Sequence, residues 1–301
     1  MDVVAIFGPT GIGKTGVASA LADLLRTRGE DPVAISADAL QVYRGLETLT
    51  GAATEEERAR LAHRLLGFVP IDQTFSVGAF APMAHAEIDS ALSEGRRPIV
   101  VGGTGLYLRA ALTDLDLAPP PPPELRERIE AELDRRGAAA MHAELRERAP
   151  GAAATIAPTD RSRIVRALEL AELGELQDAG PAESQLWTSE MRRPTALFGL
   201  VMGRRELYRR IDERVDRMVA AGALDEVLRA DAAGASRTAR AALGFGELLR
   251  GDTEAMKRRT RNYAKRQLTW MRKLAGVRIV DVTDRGAADV AGEIVGTLAA
   301  E

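Results

Sequence analysis

The clearest chemistry near the amino terminus belongs to the stretch GPTGIGKT, which fits the phosphate-loop pattern G-x-x-x-x-G-K-[ST]. Gly11 and Gly13 allow backbone angles that turn successive N–H groups inward. Lys14 can neutralise phosphate oxygens, and the Thr15 hydroxyl can coordinate Mg²⁺. An apolar strand pattern precedes the stretch and a helical pattern follows it, as the motif requires. We therefore predict a nucleotide- or diphosphate-binding loop made of Gly8, Pro9, Thr10, Gly11, Ile12, Gly13, Lys14 and Thr15.

A second polar group, SADALQVYRG, follows the second predicted strand. Ligands of open α/β sheets bind at the carboxyl ends of the strands, so Asp38 is expected on the same edge as the phosphate loop. A carboxylate there can act as a general base or hold a substrate group. Asp38 and Gln41 also fit a helix capping box, and their spacing leaves both interpretations open. Gln41, as donor and acceptor, could equally read the edge of a base.

The third apolar strand ends in Gly102, Gly103 and Thr104, without a carboxylate. ATPase motors and GTPases normally carry an acidic residue at such a strand end. Its absence disfavours a motor and leaves open a group-transfer enzyme whose loop holds a leaving phosphate. Thr104 could simply cap the helix that begins at Gly105.

Strand and helix patterns alternate along the chain, which predicts an α/β fold with a parallel sheet flanked by helices. The predicted strands are 3–7, 32–36, 98–101, 195–202 and 277–282, and the predicted helices are 14–27, 82–94, 206–221, 224–232, 253–273 and a closing helix ending at 298. Five consecutive prolines at 119–123 interrupt this pattern, and residues 125–176 are helical in period. We predict a P-loop NTPase-like core of residues 1–117 and 194–301, with an inserted helical subdomain of residues 118–193.

Composition narrows the class of protein. The chain has 301 residues, a formal net charge of −3, no cysteine and three histidines. Disulfides and thiolate metal sites are excluded, and a zinc cluster is not expected. No apolar run approaches the roughly 18 residues of a membrane span, and the phosphate loop leaves no room for a signal peptide. We expect a cytoplasmic, monomeric protein without membrane contact.

The segment KRRTRNYAKRQLTWMRK, residues 257–273, contains eight Lys or Arg residues and no acidic residue. A solvated helix face is the ordinary interpretation of a charge run. The lack of acidic residues, with Tyr263 and Trp270 interleaved, favours a surface for a nucleic-acid backbone.

Six stretches resemble the tRNA dimethylallyltransferase family, in the expected order and over nearly the whole chain. They are GPTGIGKT, SADALQVYRG, PIVVGGTGLYLRAAL, RSRIVRALEL, RRELYRRIDERVDRM and TRNYAKRQLTWMRK. The resemblance implies transfer of a dimethylallyl group from dimethylallyl diphosphate to N6 of the adenosine 3′ of the anticodon in tRNA, with release of diphosphate. One departure is Ala39, where the family usually has serine.

The resemblance also implies roles for residues. Asp38 would be the base, Lys14, Thr15 and Mg²⁺ would stabilise the diphosphate, and Arg214 would approach it. Thr104 would contact the flipped adenosine. The predicted contacts with the tRNA anticodon stem-loop are Asp38, Ala39, Leu40, Gln41, Thr104, Arg126, Ser162, Arg163, Ile164, Val165, Arg166, Lys265 and Arg266. The last two of these belong to the basic segment. Arg163 and Arg166 could instead be ordinary solvated charges.

Two other functions fit the phosphate loop. A P-loop small-molecule kinase would use ATP and activate an acceptor hydroxyl with Asp38. An RNA-binding nucleotide sensor would bind without turnover. The helical insert and the basic segment fit a large RNA better than a metabolite.

Overall fold

The computed structural model describes residues 2–118, 120–176 and 185–300. Within these ranges, six strands form one parallel sheet in the order β3-β2-β4-β1-β5-β6, which confirms the predicted fold class. The strands are β1 (Val3–Phe7), β2 (Asp31–Ser36), β3 (His63–Arg64), β4 (Arg96–Gly102), β5 (Thr195–Val201) and β6 (Arg278–Asp281). No helix of the described residues is long and apolar enough to cross a membrane.

The chain divides into two compact units, residues 1–115 with 189–301 and residues 116–188. The helices of the first unit are α1 (Lys14–Arg26), α2 (Glu47–Thr50), α3 (Glu55–Arg60), α4 (Val77–Ser93), α5 (Gly105–Leu112), α10 (Arg204–Ala220), α11 (Ala223–Ala232), α12 (Arg237–Arg240), α13 (Phe245–Leu249), α14 (Thr253–Met271) and α15 (Ala287–Ala299). Those of the second unit are α6 (Pro123–Arg136), α7 (Ala138–Arg148), α8 (Pro150–Thr155) and α9 (Arg161–Leu173). Residues 119 and 177–184 of the predicted insert lie outside the described residues.

Two local differences from the sequence prediction have physical causes. Helix α4 begins at Val77 rather than Pro82, because the Ser76 hydroxyl accepts a hydrogen bond from the Ala79 N–H and caps the helix. The edge strand β3 was not predicted, because two residues are too few to show an alternating pattern.

Apolar clusters of buried residues pack these elements together, and three of them lie around α1 and α15, around α2, and in the second unit. The first lies between the sheet and helices α1 and α15, with Val4, Leu21 and Ile294 among its buried members. The second packs the segment around α2 against α10, α11, α13 and α14. The third is the core of the second unit alone.

Sheet order brings three strand exits together. Strand β4 lies between β1 and β2, with Phe7 opposite Gly102 and Ser36 opposite Val101. The loops that leave the carboxyl ends of these strands therefore start from neighbouring positions on one edge.

Candidate active site

The phosphate loop follows β1 and runs into α1. Gly11 and Gly13 adopt φ values of +82° and +97°, in the left-handed region where a side chain is disfavoured. The Lys14 ammonium donates to the carbonyl oxygens of Gly8 at 2.9 Å and Pro9 at 3.1 Å. The loop thus has the curled backbone and positioned lysine that bind phosphate oxygens.

Gln267, from α14, joins the phosphate loop to the loop after β4. Its Oε1 accepts from the Thr10 N–H at 2.9 Å, and its Nε2 donates to the Gly103 carbonyl at 2.6 Å. The side chain is only 4% exposed, and its bond to the Gly103 carbonyl is buried away from water. Sequence reasoning missed this role; the one indication is an uncharged amide four residues after Tyr263, on the same helix face.

The glycines at the end of β4 allow close backbone approach. A Cβ on Gly103 would lie 2.6 Å from Gln267 Nε2 and 3.2 Å from Lys14 Nζ. A Cβ on Gly102 would lie 2.3 Å from the Ala37 carbonyl oxygen. No carboxylate fits at either position, which gives the physical reason for the acid-free strand end.

Asp38 lies after β2 and borders the same cavity as the phosphate loop. Its Oδ1 accepts from the N–H groups of Leu40 at 3.0 Å and Gln41 at 3.4 Å. The capping-box alternative is wrong, because no helix begins here; the next one starts at Glu47. The Gln41 amide instead accepts from the Ser36 hydroxyl and donates to the Gly51 carbonyl.

Thr104 occupies the position before α5, but its side chain makes no capping hydrogen bond, so the simple cap interpretation is also wrong. Its Oγ1 accepts from the Ala39 N–H at 3.4 Å and lies 3.3 Å from the Tyr263 hydroxyl. The contact with Ala39 uses backbone and does not depend on a serine hydroxyl there. Tyr263, assigned by sequence to a surface, belongs to the site, where burial and the Asp38 charge raise its pKa to about 12.

One cavity of about 850 Å³ is lined by residues of the phosphate loop together with Asp38, Gly103, Tyr263 and Gln267, and all of its lining belongs to the first unit. Lys14, Thr15, Asp38 and Arg214 line its polar part. Burial lowers the pKa of Lys14 to about 8; the Asp38 charge opposes this shift and the Arg214 charge adds to it. Burial also lowers the pKa of Arg214, with Asp38 again opposing the shift.

The cavity also has an apolar lining. Leu49, Met218, Leu243 and Met256 contribute to it, from α2, α10, the turn before α13, and α14. A Cβ on Gly244 would lie 2.6 Å from Met256 Cε and 2.9 Å from Leu49 Cδ1, so the wall is closely packed. Cations, carboxylates and apolar groups thus border a single space, and Asp38 is the carboxylate whose charge acts on Lys14 and Arg214.

The predicted tRNA contacts in the second unit differ in their exposure and in their partners. Arg126 donates two hydrogen bonds to Glu169, at 2.6 and 2.7 Å, and Arg166 donates to the same carboxylate at 3.2 Å. Glu169 is fully buried, so both arginines stabilise a buried charge. The side chains of Ile164 and Val165 are buried in the core of this unit, so these two stay predicted tRNA contacts through their backbone only.

Ser162 and Arg163 in this unit are exposed. They remain predicted tRNA contacts. Arg163 lies 3.5 Å from Asp160, a surface pair that contributes little stability.

The basic segment, residues 257–273, is less uniformly positive in the folded protein than its sequence indicates. Acidic residues from outside the segment pair with several of its cations: Lys257 with Asp216, Arg259 with Glu247, and Arg261 with Asp212. Lys265 and Arg266 are exposed, and the Arg266 guanidinium lies 5.5 Å from the centre of the Tyr263 ring. Lys265 and Arg266 are therefore the exposed cations on which we base the predicted contact between α14 and a phosphate backbone.

A phosphate loop after β1 of a parallel sheet, with a carboxylate after β2 at the same edge, defines a P-loop α/β protein. The IPP transferase family model matches residues 41–274. The chain belongs to the IPP transferase family, as the sequence motifs predicted.

Relatives and solved structures agree with this assignment. The chain is 42% identical over 282 residues to the tRNA dimethylallyltransferase of Thermobifida fusca, covering 90% of this chain and 87% of the relative. It is 44% identical over 292 residues to that of Anaeromyxobacter dehalogenans, covering 92% and 94%. The crystal structure of the tRNA isopentenylpyrophosphate transferase from Bacillus halodurans is similar with a TM-score of 0.71 and 33% identity, over 99% of this chain and 96% of that one.

Proposed function

We propose that this protein transfers a dimethylallyl group from dimethylallyl diphosphate to the N6 amine of the adenosine 3′ of the anticodon in tRNA. The observation that carries the proposal is the shared cavity, in which the phosphate loop and Asp38 meet. A new bond forms between N6 and the allylic carbon, and the bond from that carbon to the diphosphate oxygen breaks. The N6 proton passes to the Asp38 carboxylate, and diphosphate leaves.

The diphosphate occupies the phosphate loop in this proposal. Lys14 and Arg214 supply positive charge, and the loop N–H groups donate hydrogen bonds to its oxygens. Negative charge grows on the leaving group as the allylic bond breaks, so these contacts strengthen in the transition state and accelerate the step.

The donor set fits Mg²⁺. Among the described residues, no group of three or more acidic, histidine or cysteine side chains could hold a metal alone. Mg²⁺ typically takes one or two protein ligands, with phosphate oxygens and waters completing the octahedron. The Thr15 hydroxyl would be such a ligand, and the ion would supply further neutralisation of the diphosphate.

The apolar lining of the cavity suits the dimethylallyl group of dimethylallyl diphosphate. A dimethylallyl group is uncharged and small, and Leu49, Met218, Leu243 and Met256 offer methyl and thioether surface rather than hydrogen-bonding groups. Exclusion of water there protects an allylic carbon from hydrolysis while the bond to diphosphate breaks.

The acceptor adenosine must leave its base stack to reach Asp38. The Thr104 hydroxyl, the Gln41 amide and the Tyr263 phenol provide polar groups at the edge of the site. Exposed cations, namely Arg163, Lys265 and Arg266, would contact the RNA backbone, together with Ser162.

The direct test incubates the protein with Mg²⁺, labelled dimethylallyl diphosphate and unmodified tRNA, and measures label in the RNA. Asp38→Ala removes the base and is expected to lower kcat by about 10²- to 10⁴-fold. Asp23→Asn, which breaks only exposed pairs with Arg26 and Arg60, is the control and should keep activity. Transfer that persists undiminished in Asp38→Ala contradicts the base assignment, and phosphorylation of a small molecule by ATP without any transfer to tRNA would favour the kinase instead.

A further inference from the structure

Helix α2 is a four-residue segment that borders the cavity and holds two predicted ligand contacts. The Thr50 carbonyl accepts from Arg214 Nη2 at 3.3 Å, and the Gly51 carbonyl accepts from Gln41 Nε2 at 3.2 Å. Arg214 lies tightly against this end of the helix, because a Cβ on Gly51 would come within 1.8 Å of Nη2. A small displacement of α2 would therefore move the guanidinium.

So short a helix does not hold itself in place. Its N-cap residue, Leu46, has an apolar side chain and makes no capping hydrogen bond. Two N–H groups of the first turn, which have no partner within the helix, are instead bound by Glu226, a residue of α11. Glu226 Oε1 accepts from the Thr48 N–H at 2.9 Å, and Oε2 accepts from the Leu49 N–H at 2.9 Å.

This carboxylate is unusual in its surroundings. Glu226 is 8% exposed and packs in the second apolar cluster, beside Val227 and Leu49. Hydrogen bonds to an ionised acceptor are stronger than neutral ones, and burial increases the cost of losing them. A carboxylate is costly at a buried position, and here both of its oxygens are used on the amides of one short helix.

We propose that Glu226 is a positioning residue, which holds α2 so that Arg214 is aimed into the phosphate end of the cavity. It touches no substrate; its effect passes through α2 and the Thr50 carbonyl to the arginine. The proposal rests on the proposed function only in taking Arg214 as a diphosphate ligand, and so it can be tested with inorganic pyrophosphate alone.

The experiment measures pyrophosphate affinity with Mg²⁺ by calorimetry, without tRNA. Glu226→Gln keeps the shape but places an N–H₂ donor against one amide, and we expect binding to weaken about tenfold. Glu226→Asp is the second variant, to be used if Glu226→Gln does not fold. It moves the carboxylate back by one methylene while keeping its charge, and it should weaken pyrophosphate binding several-fold. Asp289→Asn, which removes a carboxylate acceptor at the start of α15 outside the cavity lining, is the matched control and should bind as the parent does.

A double-mutant cycle separates positioning from general loss of structure. If Glu226 acts through the arginine, Glu226→Gln in an Arg214→Ala background should weaken pyrophosphate binding less than twofold further. Additive losses, or unchanged affinity in a folded Glu226 variant, would overturn the inference. Absence of dimethylallyl transfer by the parent protein, with the cycle still non-additive, would refute the proposed reaction while supporting the role of Glu226.

Discussion

The pH dependence of donor use tests the electrostatics of the site most directly. An unperturbed lysine has a pKa of about 10.4, whereas burial lowers the pKa of Lys14 to about 8. The ammonium is charged below its pKa, so diphosphate binding that needs this charge is present below pH 8 and is lost above it. The perturbation is therefore a rise in pH from 7 to 9.

The size of the effect follows from the fraction of Lys14 that is protonated. With a pKa of about 8, that fraction is about nine-tenths at pH 7 and about one-tenth at pH 9, so kcat/KM for the donor should fall roughly tenfold. The ratio kcat/KM reports the free enzyme, which is the state described by the structure. Titration of Tyr263 does not cause this fall in kcat/KM between pH 7 and 9, because its pKa is raised to about 12.

The assay is initial-rate transfer of labelled dimethylallyl groups to tRNA at subsaturating donor, in buffers of constant ionic strength. Lys14→Arg is the matched variant: it keeps a cation that does not titrate in this range, so its weaker activity should show no alkaline limb near pH 8. A parent profile that stays flat to about pH 9.5 would refute the argument that burial lowers the pKa of Lys14.

Three further predictions concern residues around the site. Gln267→Ala leaves the buried Gly103 carbonyl and the part-buried Thr10 N–H without their partner, so we expect the free energy of unfolding to fall by about 1–3 kcal/mol in denaturant titrations, with a matching loss of donor kcat/KM; a stability change below about 0.5 kcal/mol would contradict a stabilising role for Gln267. Replacing Lys265 and Arg266 by Gln should weaken tRNA binding and lower the slope of log Kd against log salt by about 1.5, whereas Arg261→Gln, whose parent side chain is paired with Asp212, should leave the slope unchanged. Glu169→Gln should destabilise the protein by about 3 kcal/mol, since it leaves two arginines beside an uncharged amide, and an unaltered melting temperature would show that the cluster contributes no stability.

The phosphate loop could be predicted because its chemistry is local. Its glycines, lysine and threonine occupy consecutive positions, and the strand before and the helix after it have clear periods. Asp38 could be placed on the same edge because parallel strands share a direction. The residue that binds the loop from outside, Gln267, is 257 positions from Thr10, and no local pattern relates the two.

The pairing of charged side chains was the feature that the sequence predicted least well. Residues 257–273 contain no acid, yet Asp212, Asp216 and Glu247 from other helices neutralise part of that segment. Arg126 and Arg166, which stay predicted RNA contacts, both form ion pairs with the buried Glu169. A sequence shows which charges exist. Whether two of them form an ion pair depends on the distance between them, because their interaction energy decreases as that distance grows.

The sequence by itself determined the class of fold, the phosphate loop and the family, because each depends on residue types and on the order of strand, helix and motif patterns along the chain. The candidate base came from the resemblance to that family. The tertiary structure alone decided which strands are neighbours, which cations remain unpaired, and how Glu226 reaches α2 from 177 and 178 positions away. Those contacts join residues that are far apart in the sequence. Their energies depend on burial and geometry, which residue order does not specify.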